Sequence, residues 1–322
     1  MKERSHPGFP AVVVGGSAGA IDPLRKFVSE VPAEFPAAIF IANHVPPDSV
    51  SALPHLLARA GALFATHAID NAPIAPGQII VAPPDHHLMV EDGVMRVSQG
   101  PMENNQRPSI DVLFRSAAMN FKSATCGILL SGTLDDGSAG IVAIHEAGGA
   151  TFVQEPDDAQ FPDMPLNAMA TGAVDGAYPA DRLYDAVRDW LRHPARAPQI
   201  EQVRWDERDA GKPSVFTCPD CGGTLWELEG RGVLRFRCRT GHAYNPSSML
   251  SAYDGKLEAV LWASIRALQE RRDLLRRMSR RSLQSSQQSS RRRYEQQAAE
   301  VEADIERLHA VLASFSSATT PA

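Results

Sequence analysis

The sequence predicts an α/β fold built on a doubly wound, mostly parallel sheet, followed by a small cysteine-bearing module and a helical C-terminal tail. Three observations carry that prediction. Short apolar runs alternate with amphipathic stretches from residue 10 to about residue 193, three of the four cysteines cluster at Cys218, Cys221 and Cys238, and apolar residues near the C-terminus recur at three- and four-residue spacing. Continuous apolar runs fit strands covered on both faces, and strand–helix alternation is the pattern of parallel sheets.

The elements follow in order. PAVVVG (10–15), AAIFIAN (37–43), QIIVA (78–82), ATCGILL (124–130) and GATFV (149–153) are short, rich in Val, Ile and Phe, and read as strands. Ile21–Val31, Ser49–Ala60 and Ser109–Asn120 carry helical periodicity between them. HHLMV and MRVS, parted by EDG, read as a small hairpin. ADRLYDAVRDWLRH (180–193) reads as a closing helix, which the prolines of HPARAP end. These signals divide the chain into a first domain at 1–194, a polar linker at 195–214, a compact module at 215–250 and a helical tail at 255–315. No internal repeat is visible.

Composition narrows the function. Apolar residues make up 43% and charged residues 22% of the 322, ordinary values for a globular protein. The opening MKERSHPGFP has no apolar core of a signal peptide, and no run is long enough to cross a bilayer, so a cytoplasmic protein without membrane insertion is expected. Of the formal charge of −6, residues 265–309 hold a local +4, which leaves −10 for residues 1–264. That balance argues against nucleic acid as a partner of the first domain and leaves the Arg-rich tail as its only basic stretch.

VVVGGSAGA places Gly15-x-Ser17-x-Gly19 directly after a buried strand and before a helix. Serine on such a turn has an exposed hydroxyl, and the helix N-terminus offers free N–H groups to a developing oxyanion. A dinucleotide loop would need glycine near positions 17 and 20, where this chain has Ser17 and Ala20, and an acidic end to the second strand, which instead ends in Asn43-His44. His44 therefore falls at the sheet edge where open α/β folds place their sites, near enough to Ser17 to be its base. ILLSGTLDDGSAG supplies Asp135 and Asp136 after another strand; either could orient the histidine, and either could be a helix cap.

GGSAG, NHVP and SGTLDDG, in that order, resemble the catalytic domain of CheB, the protein-glutamate methylesterase of bacterial chemotaxis. APIAPGQIIVAPPDHHL, RPSIDVLFRSAA and EPDDAQFPDMPLNAMATGAVD extend the resemblance over about residues 10–193. It implies a triad of Ser17, His44 and Asp136, with Asp136 and not Asp135 as the acid, and no cofactor for catalysis. It further implies a methyl-accepting chemoreceptor or receptor-like protein as substrate, with glutamine deamidation as a related activity. Ala18 and Ala20 stand where chemotaxis enzymes have Thr and Gly, and Thr133 and Leu134 replace Met and Gly of the aspartate loop. With only about ten residues before the first strand, no fused receiver domain is expected, and a separate methyltransferase or response regulator is the expected partner.

The cysteine module reads Cys218-x2-Cys221-x16-Cys238-x3-His242, with strand-like TLWEL and VLRFR flanking EGRG. Two ligand pairs at opposite ends of a hairpin converge on a tetrahedral site, and thiolate with imidazole suits zinc. The module is therefore expected to be zinc-ribbon-like, with Cys218, Cys221, Cys238 and His242 closing a structural zinc site; a redox CxxC is the rival reading. In the tail, Ala298, Val301, Ile305, Leu308, Leu312 and Phe315 form one narrow stripe, and Leu257, Leu261, Ile265, Leu268 and Leu275 form another, interrupted at Arg272. SLQSSQQSS between them fits either the loop of a helical hairpin or a weak stretch of one long coiled-coil helix. Two functions stay open: a serine hydrolase acting on glutamate methyl esters, or a signalling adaptor that uses the hydrolase fold, the zinc module and the tail to bind partners.

Overall fold

The computed structural model of the chain describes residues 8–193, 211–229, 233–284 and 288–318. They fall in two compact units, Met1–Met249 and Leu250–Ala322. No helix among the described residues is long and apolar enough to cross a membrane.

The first unit begins with β1 (Ala11–Gly16), α1 (Ile21–Glu30), β2 (Ala38–Asn43), α2 (Leu53–Ala60), β3 (Phe64–His67) and β4 (Gln78–Val81). A hairpin of β5 (His87–Glu91) and β6 (Val94–Ser98) precedes α3 (Ile110–Phe121). The chain continues with β7 (Thr125–Leu129), α4 (Ser138–Glu146), β8 (Ala150–Gln154), α5 (Asp163–Ala170), β9 (Gly176–Tyr178) and α6 (Leu183–Arg192). Seven strands form one sheet in the order β3-β4-β2-β1-β7-β8-β9, every pairing parallel. The doubly wound α/β fold expected from the sequence is the fold observed.

Alternation along each strand sets the two faces. In β1, Val13 joins Phe40, Phe114, Phe121 and Ile141 in one apolar layer, to which α3, α4 and α5 contribute. Val12 and Val14 join Leu24, Phe27, Leu57 and Val187 in the other, under α1, α2 and α6. β1, β2 and β7 are buried throughout, which is why their sequences are unbroken apolar runs. The edge strands β3 and β9 have no such run: Phe64 is exposed, and every residue of β9 is only half-buried. α2 starts at Leu53, later than its periodicity suggested, because Pro54 fixes the first turn.

β1 connects to β2 on one side, while its other neighbour β7 leads to β8 on the opposite side. The carboxyl ends of β1 and β7 thus flank the crevice at which such sheets bind ligands.

Still within the first unit, β10 (Lys212–Thr217), β11 (Thr224–Glu229), β12 (Leu234–Cys238) and β13 (Ala243–Tyr244) form an antiparallel sheet in that order. β10 begins before residue 215; of the expected linker, 195–210 lies outside the described residues, as does 230–232 of EGRG. α7 (Pro246–Gln284) opens in the first unit and continues into the second, where it runs antiparallel to α8 (Gln288–Ala318), since Arg272 meets Glu302 while Ser279 meets Glu295. Ile265, Leu275, Ala298, Val301, Ile305 and Leu312 are buried between them, with Leu261, Leu268 and Leu308 packed alongside. The Phe315 side chain and residues 285–287 of the serine-rich stretch lie outside the described residues, and Leu257 is exposed.

Candidate active site

Backbone ladders bring three loops together. The Ser17 N–H donates to Ser131 O at 3.0 Å, extending the β1–β7 ladder, and the His44 N–H donates to Gly16 O at 3.1 Å, extending the β1–β2 ladder. Ser17 and His44 therefore face each other by register, and Ser131 leads into the aspartate loop. Ser17 Oγ lies 3.2 Å from His44 Nδ1, and His44 Nε2 lies 2.8 Å from Asp136 Oδ2. These three residues, predicted together, are brought together. With Nε2–H donated to the carboxylate, the Nδ1 lone pair faces the Ser17 hydroxyl.

Close approach dictates the glycines. A Cβ on Gly132 would stand 2.0 Å from Met164 Sδ and 2.9 Å from Ser17 Cβ, so only glycine lets this loop pass beneath the serine. Gly19, at φ 75°, turns the chain into α1 where a Cβ would strike Ser131 Oγ. Leu134 also stands in the left-handed region, at φ 66°, and Asn167 Nδ2 donates to its carbonyl at 2.7 Å, so the loop keeps its shape with leucine at that position. Thr133 beside it is exposed.

Asp136 is buried and receives a full set of donors. Its Oδ2 accepts from His44 and from the Ile110 N–H at 2.8 Å; its Oδ1 accepts from Asn104 Nδ2 at 2.8 Å, Ser109 Oγ at 2.9 Å and the Asp111 N–H at 3.1 Å. Burial alone would raise its pKa, but the hydrogen bond and charge of His44, together with Asn104 and Ile110, outweigh burial and hold it below the usual carboxylate range. Burial and the neighbouring Asp136 charge push Asp111 the other way. The capping reading of these aspartates also holds, for different helices from the one that follows them. Asp136 caps the N-terminus of α3, and Asp135 accepts from the Ser247 and Ser248 N–H groups that open α7.

The fold agrees with what known proteins show. Residues 12–187 match the sequence model of the family described as CheB methylesterase. The chain belongs to the CheB methylesterase family. It is 36% identical over 176 residues to protein-glutamate methylesterase/protein-glutamine glutaminase 2 of Rhizobium johnstonii, covering 53% of this chain and 48% of that one. A second CheB relative, number 6 of Anaeromyxobacter dehalogenans, is 36% identical over 195 residues, covering 58% of this chain and 55% of its own. The crystal structure of the Thermotoga maritima CheB methylesterase catalytic domain superposes with a TM-score of 0.55 at 27% identity, covering 57% of this chain and 99% of that domain. The chain spans about half the length of the curated CheB relatives it matches.

Away from the crevice, the ligand atoms of Cys218, Cys221, Cys238 and His242 all lie within 4.8 Å of one another, close enough to hold a metal ion. Cys218 and Cys238 Sγ each stand 3.6 Å from His242 Nδ1, and Cys221 stands 3.7 Å from Cys238. The His242 Nε2 points instead toward Asp220, 3.8 Å away, whose carboxylate also accepts from the Tyr244 hydroxyl.

Sequence reasoning missed Asn104 and Ser109, which donate to the acid, and Asn245, which donates to Asn104 and Asp111 beside it. Their contacts cross from one element to another, and no spacing signals them.

Proposed function

We propose that this chain is a cytoplasmic serine hydrolase that demethylates glutamate methyl esters, and deamidates glutamines, on chemoreceptors or related signalling proteins. The hydrogen-bonded chain from Ser17 through His44 to Asp136 carries this reading. His44 Nδ1 takes the Ser17 proton as Oγ attacks the ester carbonyl, and Asp136 fixes the tautomer and stabilises the imidazolium. Among the described residues, neither the Ala18 nor the Thr133 N–H donates to a protein acceptor, which leaves both for the oxyanion. His44 returns its proton to the departing methoxide, and water then hydrolyses the acyl-serine to glutamate. The family relationship favours the enzyme over an adaptor. A separate methyltransferase would supply the ester, and a separate response regulator would be a partner.

Replacing Ser17 by Ala should lower hydrolysis of methylated receptor by a factor on the order of 10⁴ to 10⁶ while leaving thermal unfolding in place. A variant as fast as the wild type would remove Ser17 from the mechanism.

For the metal we assign structural zinc. Tetrahedral zinc with its usual bond lengths sets sulfur–sulfur edges of about 3.8 Å and sulfur–nitrogen edges of about 3.5 Å. Three of the six edges, at 3.6, 3.6 and 3.7 Å, match that frame, and all six lie within 4.8 Å. Four protein ligands close the site, and Asp220 behind His242 is the outer carboxylate such histidines commonly have. Catalysis needs no cofactor in this scheme. The domains we assign are the catalytic part at 1–194, a linker from 195 that ends before β10 rather than at 214, the ribbon from β10 to β13, and the helical tail, which starts with α7 rather than at 255.

A further inference from the structure

The cysteine module is stitched to the catalytic part immediately behind the triad. The Ala243 N–H donates to Met102 O at 3.3 Å, and the Asn104 N–H donates to Ala243 O at 2.7 Å, so β13 runs along residues 102–104. Asn104 is the residue whose Nδ2 bridges two buried carboxylates, Asp136 Oδ1 and Asp111 Oδ2, each at 2.8 Å. A side-chain amide can face either way, and its orientation is set by what its oxygen accepts. Here the Asn245 N–H donates to Asn104 Oδ1 at 2.7 Å, which turns Nδ2 toward the carboxylates. The Asn245 side chain then adds a second donor: its Nδ2 reaches Asp111 Oδ2 at 2.9 Å and Asp135 O at 3.0 Å. Asn245 is 1% exposed and touches neither Ser17 nor His44.

We infer that Asn245, contributed by the metal-binding module, is a positioning residue of the triad: through Asn104 and Asp111 it holds Asp136 as the hydrogen-bonded partner of His44. The inference rests on the triad reading and extends it to a part of the chain that lies outside the stretch matched by the family. Physically, two carboxylates share one amide. Asp111 is satisfied by Asn245, by Asn104 and by the Gly140 N–H at 2.6 Å. Without Asn245, Asp111 competes for the Asn104 amide at the expense of Asp136, in a dry setting where each donor to a charge counts most. The charged groups facing this pair are His44 and His87 on one side and Arg115 and Arg235 on the other. Arg235 comes from β12, so the module also supplies charge to the same pocket.

The test uses the full chain and a fluorophosphonate serine reagent, whose labelling rate at Ser17 reads activation of the nucleophile without any receptor. Rates are measured from pH 5 to 9 for wild type, Asn245→Ala, Asn245→Ser and Ser248→Ala, alongside metal content and thermal unfolding. Asn245→Ala should label about tenfold more slowly, the worth of one hydrogen bond to a charged group. Its acid limb should also move to higher pH, because Asp136 loses part of its compensation. Asn245→Ser, whose hydroxyl is too short to reach Asp111, should behave the same way and stands in if the alanine variant does not fold. Ser248→Ala loosens the docked module at Asp135 alone and should label within twofold of wild type. Folded, metal-loaded Asn245 variants with the wild-type rate and acid limb would overturn the inference. If wild type itself did not label at Ser17, the triad reading would fail instead.

Discussion

In the α/β part, β1, β2 and β7 are buried from end to end and two apolar layers cover the sheet. In the ribbon, β10 leaves Val215 93% and Phe216 42% exposed, and among the described residues of its strands the buried apolar side chains come down to Leu225, Phe236, Ala243 and Tyr244 beside the thiols Cys218 and Cys238. The first region is held by burial of area, about 25 cal/mol per Å² of apolar surface. The second has too little interior for that; polar ties to its neighbour, and the metal we propose for its four ligand residues, would supply the rest. The ties are strong in kind: Glu103 is buried between Arg115 at 2.7 Å and Arg235 at 3.1 Å, one guanidinium from each region.

Chelation, acting on the zinc site we propose, should separate the two most sharply. A structural zinc site contributes on the order of 10 kcal/mol, so chelation should abolish hydrogen-exchange protection across β11 and β12 while β1, β2 and β7 stay protected. Loss of protection in β1 at the same chelator concentration would mean that the regions unfold as one. Next comes Glu103→Gln, which takes from Arg115 and Arg235 the carboxylate they share and should cost about 3–5 kcal/mol in denaturant unfolding. Burial works to raise the Glu103 pKa, but the charges of Arg115 and Arg235 prevail and depress it. The sign follows: its contribution is complete above the unfolded value of 4.5 and is lost as pH falls through the depressed folded value. Wild type should therefore lose stability on acidification that Glu103→Gln does not lose. The smallest effect belongs to the sheet interior. Ile39→Val, at a fully buried position of β2, should cost about 1 kcal/mol and leave metal affinity unchanged.

The same contrast explains what could be read from the chain alone. Central strands were legible because burial on both faces writes itself as VVV or IFIA, and the loops that follow them carry Ser17, His44 and Asp136 at positions set by strand ends. The ligand spacing of the ribbon was legible because both pairs are local in sequence. β3 and β9 were not, since edge strands bury too little to enforce a pattern. Asn104 and Asn245 were invisible for another reason: they lie far apart in the chain, and their partnership is a matter of tertiary hydrogen bonds. Asp135 and Asp136 illustrate the limit most closely. Adjacent and alike in sequence, they face opposite tasks, one capping α7 and the other meeting His44.

That adjacency has a practical side. The border between the two regions runs through a single peptide of the aspartate loop, with one carboxylate committed to each side. A fragment ending at residue 193 would therefore expose Asp135, leave Glu103 with one guanidinium in place of two and free Asn104 to rotate. Kinetics measured on such a fragment would describe a differently wired site, however well it folded.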